Sequence, residues 1–245
     1  MDRESYPDPK VQEILKSFHI VKVDRDKRPD LVRKFTKDMG VPTLGYPTRI
    51  YLDSKGTEAD RVRGYKPADK FVLELQSVLD SGGTLHALSA RIREHPEDRL
   101  PRKERMLWAL ESMRWDLIRD DGDFLFPKLD LEKPEDRALW EELAVHHARA
   151  NAIGGKRDLC IQQMERYIPL FPKGAQVNSA RQILGYQYEQ AGDKDKAADC
   201  YAAILRSEPK GWYADNAGKF FRRNPDQAKR FDPKTYEPKS APDAR

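Results

Sequence analysis

Cysteine is nearly absent from this chain: there are two in 245 residues, Cys160 and Cys200, and none in the first 159 positions. That excludes a disulfide framework of the small secreted kind. It also excludes a C-x-x-C pair, in which a helix N-terminus activates one thiol and a neighbouring thiol resolves the mixed disulfide. Long apolar runs are missing too. Nothing approaches the roughly eighteen consecutive apolar residues of a membrane span, and the opening Met1-Asp2-Arg3-Glu4 has no apolar signal region. Glycine is not gathered into a phosphate-cradling loop, and no nucleophile stands in a recognisable local motif. Asp120-Asp121-Gly122-Asp123 lacks the alternating oxygen ligands and closing Glu of a calcium loop and reads as a solvated turn. His146 and His147 are adjacent, so on a helix they point to different faces and do not form a ligand pair. A net charge of +4 is modest, and basic clusters such as Arg102-Lys103-Glu104-Arg105 are broken by acids. There is no aromatic-interleaved basic stripe of the kind that binds nucleic acid. The sequence therefore assigns no catalytic residue, cofactor or metal, and no nucleic-acid partner.

What is present is charge of both signs, at 35% of residues against 38% hydrophobic, which fits helices with long solvated faces and a thin core. Asp8-Pro9 supplies an N-cap and first turn for a helix carrying Val11, Ile14, Leu15 and Phe18 on one face. The run from Phe18 to Asp24, FHIVKVD, suits a strand buried on both faces of a parallel sheet. Leu31, Val32, Phe35 and Met39 then recur at helical spacing, with Pro29 suited to the first turn and Gly40 to a C-cap. Thr48 to Leu52 alternates as a strand, Asp53-Ser54-Lys55-Gly56 favours a tight turn, and Glu58 to Arg63 runs back, which makes a β-hairpin. Phe71, Val72, Leu75, Val78 and Leu79 mark another helix, opened near Pro67 and closed by Ser81-Gly82-Gly83.

This order of elements, with Gly45-Tyr46-Pro47-Thr48 and Gly64-Tyr65 at their places in it, resembles the second half of a thioredoxin-like fold over roughly residues 1 to 80. The resemblance implies an α/β thioredoxin-like domain over 1–82 whose sheet is incomplete. The chain begins just after the position of the family's C-x-x-C, and the central strand that leads into it is missing. It also implies that Pro47 is cis and that Tyr46, Pro47 and Thr48 form a substrate-binding edge, with the Tyr46 backbone pairing with an extended polypeptide. The chemistry of the family is absent, so the domain is expected to be redox-inactive as it stands.

Beyond Gly83 the periodicity is helical throughout. Leu85, Leu88 and Ile92 mark one helix, Leu107, Trp108, Leu110, Trp115 and Ile118 a second, and Leu139, Trp140, Leu143 and His147 a third between Pro134 and Asn151. From Ala180 to Pro209 the chain resembles a tetratricopeptide repeat, on Leu184-Gly185, Tyr188, Gly192, Ala197, Tyr201 and Pro209, with departures at Arg181 and Ile204. A weaker copy precedes it, with Gly155, Cys160, Met164 and Pro172 at comparable offsets, which puts both cysteines at small packing positions. The resemblance implies an all-α tetratricopeptide-like domain over 84–222, with a face that binds polypeptide, followed by a mobile Pro-rich tail over 223–245. Two functions are compatible with these readings. The first is a fragment of a thiol-disulfide oxidoreductase whose helical region docks proteins, exported or periplasmic if further chain precedes Met1. The second is a non-catalytic adaptor in which a cysteine-free thioredoxin-like fold and the helical region both bind peptide or protein. In either, the partner is a polypeptide.

Overall fold

The computed structural model describes residues 3–36 and 47–228. The chain divides into two compact units, Met1–Pro127 and Lys128–Arg245.

In the first unit Asp8 caps helix α1 (Pro9–Leu15), its side chain accepting from the amides of Lys10 and Val11. Helix α2 spans Pro29–Thr36, and strands β1 (Thr48–Leu52) and β2 (Glu58–Arg63) form an antiparallel hairpin in which Thr48 faces Arg63 and Tyr51 faces Asp60. The hairpin turn is built as its residues dictate: the Asp53 carboxylate accepts from the amides of Lys55 and Thr57, and Gly56 takes a positive φ of 79°. Helix α3 (Ala68–Ser81) lays Phe71 and Leu75 against Val11, Leu15 and Tyr51. Beneath that cluster a buried ion pair fixes α3 to the hairpin. Arg49 donates to both oxygens of Glu74, at 2.7 and 2.9 Å, and the Tyr51 hydroxyl donates to the same carboxylate.

The expected strand over Phe18 to Asp24 does not form. Among the described residues the sheet has two strands, and Ile20, Val21 and Val23 are 51%, 79% and 42% exposed. A strand needs neighbours for its N–H and C=O groups as much as a β-rich composition, and here no described strand lies alongside this run. The α/β thioredoxin-like assignment falls with it, because the described residues are predominantly helical with a single hairpin. Met39 and Gly40 lie outside the described residues.

Helices α4 (Thr84–Glu94), α5 (Arg99–Ser112) and α6 (Trp115–Leu125) complete the unit. Gly83 allows the start of α4 to approach β2, since a Cβ there would stand 2.6 Å from the carbonyl oxygen of Ala59, and its φ of 96° disfavours any side chain. Buried Asp60 accepts from the Thr84 amide and the Trp108 indole, each at 2.9 Å, tying β2 to α4 and α5. The acidic stretch Asp120–Asp123 lies within α6 rather than in a solvated turn. Asp121 is fully buried and receives Arg105 at 2.7 and 2.8 Å and Arg102 at 3.2 Å.

The second unit is a succession of helix hairpins: α7 (Pro134–Ile153), α8 (Arg157–Leu170), α9 (Val177–Gln190), α10 (Lys194–Ser207), α11 (Trp212–Arg223) and the short α12 (Pro225–Ala228). Asn178 meets Glu208, Gly185 meets Cys200 and Tyr201, and Lys196 lies over Tyr188, so α9 and α10 run antiparallel. His147 with Gln163 and Tyr167 with Glu141 establish the same relation for α7 and α8. Small residues at the crossings, Ala148, Ala180, Gly185, Ala197 and Ala202, are buried, while Trp140, Tyr167 and Phe171 stack into one aromatic cluster. Residues 134–223 are thus a tetratricopeptide-like helical stack. Residues 229–245, most of the Pro-rich tail, lie outside the described part.

Candidate interaction face

Of the residues assigned to a substrate-binding edge, Tyr46 lies outside the described residues, as does its bond to Pro47. Pro47 is exposed and its carbonyl accepts from the Gly64 amide at 2.8 Å; Thr48 is half-buried at the start of β1. The structure therefore places Pro47 and Thr48 at the open end of the hairpin.

The cysteines occupy the interior of the second unit, Cys160 fully buried in α8 and Cys200 partly buried in α10. Burial pushes each thiol up to about 12, and the nearby Arg149 and Arg181 only partly oppose this. A thiol held protonated is neither a nucleophile nor a redox centre at neutral pH. His147 is buried and hydrogen-bonded to Gln163 at 3.0 Å and Asn151 at 3.3 Å, whereas His146 is half-exposed. Burial and the charge of Arg149 push the His146 imidazolium below its usual range. Among the described residues no three His, Cys, Asp or Glu side chains gather as metal ligands, and no helix is long and apolar enough to cross a membrane.

The feature that does stand out is made by alternate helices. Short connections at 154–156, 171–176, 191–193 and 208–211 turn the chain back between successive helices, so α7, α9 and α11 run in one direction. Neighbours in this series touch, as where Arg223 of α11 donates to Glu189 of α9 at 3.0 Å and the Gln176 side chain, just before α9, donates to the Glu142 carbonyl of α7 at 2.7 Å. Each of the three helices leaves one stripe outside the packing at i, i+3/i+4 spacing. On α7 the stripe is Glu142, His146, Arg149 and Ile153; on α9 it is Gln182, Tyr186 and Glu189; on α11 it is Trp212, Asp215, Lys219 and Arg222. Tyr186 is 51% exposed and Trp212 64%, the largest aromatic surfaces presented to water among the described residues of this unit.

None of the residues of this face is among the assigned site residues, yet their signal is in the sequence. Once Leu184 and Tyr188 are set as packed positions of a repeat, Gln182 and Tyr186 fall on the opposite side of the same helix, with Glu189 a turn beyond Tyr186. Tyr186 is then a large aromatic at a position that packing does not require.

No protein-family model matches the chain, and no curated protein does. Among solved structures the chain is similar to one described as the crystal structure of MamA, at 16% identity and a TM-score of 0.45, over 76% of this chain and 94% of that one.

Proposed function

We propose that this protein is a non-catalytic, polypeptide-binding adaptor, and that its second unit receives a segment of a protein partner across α7, α9 and α11. The observation that carries this reading is the alignment of three outward stripes on parallel, touching helices, with Tyr186 and Trp212 exposed among them. Aromatic side chains with an apolar body and a polar edge are the residues that anchor protein interfaces, and their cost when left in water is justified by a ligand. The alternative of a thiol-disulfide oxidoreductase fragment draws no support from the buried, protonated thiols or from the two-stranded hairpin.

The test is site-specific photocrosslinking of the full chain. A benzophenone side chain in place of Tyr186 is expected to capture peptides from a random displayed library, whereas the same group in place of Leu159 on α8 is expected to capture none. Equal capture at both positions, or none at Tyr186, would refute the docking reading.

A further inference from the structure

The charges on this face are sorted by level along the helices. Glu189 and Arg223 neutralise one another, which sets Tyr186 level with Lys219 and Phe220 on the adjoining helix. Gln176 beside Glu142 sets Arg149 within a turn of Tyr186 on the other side. Towards the helix C-termini, therefore, a cation, a tyrosine and a cation lie in a row, Arg149–Tyr186–Lys219, with Arg222 one turn further along α11. Lys219 donates to Asn216 at 3.2 Å, which leaves its charge unneutralised, and Arg222 makes no ion pair among the described residues. Of the acids of the face, Glu189 is taken up by Arg223, Asp215 stands one turn before Lys219 on α11, and Glu142 stands towards the other end of α7.

Packed helices lie about 8–10 Å apart, so the row spans about 16–20 Å from Arg149 to Lys219. Extended chain advances about 3.3 Å per residue, so five or six residues cover that distance. On the strength of the docking reading, we infer that the segment bound here is an extended acidic one, crossing the three helices with an apolar side chain on Tyr186 and carboxylates about six residues apart, on the same side of its backbone, on the flanking cations. Carboxylates answer the cations, and backbone stretched across helices presents alternate side chains to the face. An acidic amphipathic helix fits less well, because its carboxylates one and two turns apart advance only about 1.5 Å per residue and reach one flank at a time.

The probe is a fluorescein-labelled dodecapeptide of Gly and Ser with one Leu near its centre and Asp two residues before and four residues after it, six apart and on the same side of the extended backbone as the Leu, titrated with the full chain by fluorescence anisotropy. Two companion peptides carry Asn or Lys in place of Asp. The Asp peptide is expected to bind tightest and the Lys peptide weakest. The Lys219→Glu/Arg222→Glu variant is expected to weaken the Asp peptide about tenfold without lowering the melting temperature, and about 0.5 M salt to weaken it several-fold in the wild type. Preference for the Lys peptide, indifference to the charge reversal, or no binding of any peptide would each overturn the inference. Binding of the Asn peptide that is abolished by Tyr186→Ala yet insensitive to the peptide's charge would overturn the acidic class while leaving the docking reading standing. Failure of crosslinking at Tyr186 would defeat the docking reading itself.

Discussion

Gly185 is the position at which the helical stack can be tested most directly. It is buried at the crossing of α9 and α10, and a Cβ placed on it would stand 3.1 Å from Cζ and 3.2 Å from Cε2 of Tyr201, and 3.2 Å from Cβ of Cys200. Neither neighbour is a loose chain end. The Tyr201 ring is backed by Phe220 at a centroid distance of 4.7 Å, and the Cys200 Cβ is fixed to the backbone of α10. Two effects of opposite sign compete in Gly185→Ala. Replacing Gly by Ala inside a helix is worth about 1 kcal/mol in favour of folding, while overpacking a close crossing costs about 1–3 kcal/mol. The net expectation is a loss of about 1 kcal/mol, or about 4–8 °C in the melting temperature of a unit of this size. Gly185→Leu adds three further carbons at the same place, and its loss is expected to reach about 3 kcal/mol. Melting followed by circular dichroism measures both. A cycle with Tyr201→Leu, which removes two of the three close contacts, is expected to show positive coupling, the Ala substitution costing less in that background. If Gly185→Ala raises the melting temperature, helix propensity outweighs contact, and the tight α9–α10 crossing is not a feature of the protein in solution.

In the first unit, Glu74→Gln is expected to cost about 3 kcal/mol in chemical denaturation, because it leaves the buried Arg49 guanidinium without its countercharge; the double replacement Arg49→Met/Glu74→Leu should cost less, and equal losses would mean that the pair is solvated. Titrating the thiols with Ellman's reagent at pH 8 should give a rate about a thousandfold below that of the denatured chain, since raising a thiol from 9 to about 12 lowers its thiolate fraction by that factor, and no cysteine-dependent insulin reduction should appear; rapid reaction of either thiol in the folded chain would contradict its burial. His146 is held below its ordinary range of 6.5 by burial and Arg149, so the unfolded chain takes up the proton first as pH falls. Its contribution to stability is thus full above pH 6.5 and is lost as pH drops towards its folded value, and His146→Gln should flatten that part of the stability profile; an unchanged slope would place the titration elsewhere.

How far the sequence reveals this protein depends on whether the decisive interaction is local. The hairpin can be read because Asp53 and Gly56 encode their own turn, and α9 and α10 because Gly185, Ala197 and Tyr201 fall at packing intervals within thirty residues. Asp121 could not be read. Beside Asp120, Gly122 and Asp123 it looks like part of a solvated loop, and only Arg102 and Arg105, brought across from α5, make it a buried member of a helix.

The segment Ile20-Val21-Lys22-Val23 shows the same limit from the other side. Its residues have the composition of a buried strand, and the Asp8-capped helix before it and the Phe18 ring packed 6.1 Å from Tyr51 are where a sheet would want them. Composition alone does not make a ladder, because each strand bond needs a partner backbone, and that information lies outside the segment. The resemblance to a thioredoxin-like fold rested on the order of such segments, and so inherited an assumption about pairing that no residue in the run encodes. The face across α7, α9 and α11 is the converse case. Tyr186 and Trp212 carry no motif, yet they stand at positions where neither the helix nor the core has a use for an aromatic ring. A residue whose presence local structure and packing both fail to explain points to a contact beyond the chain.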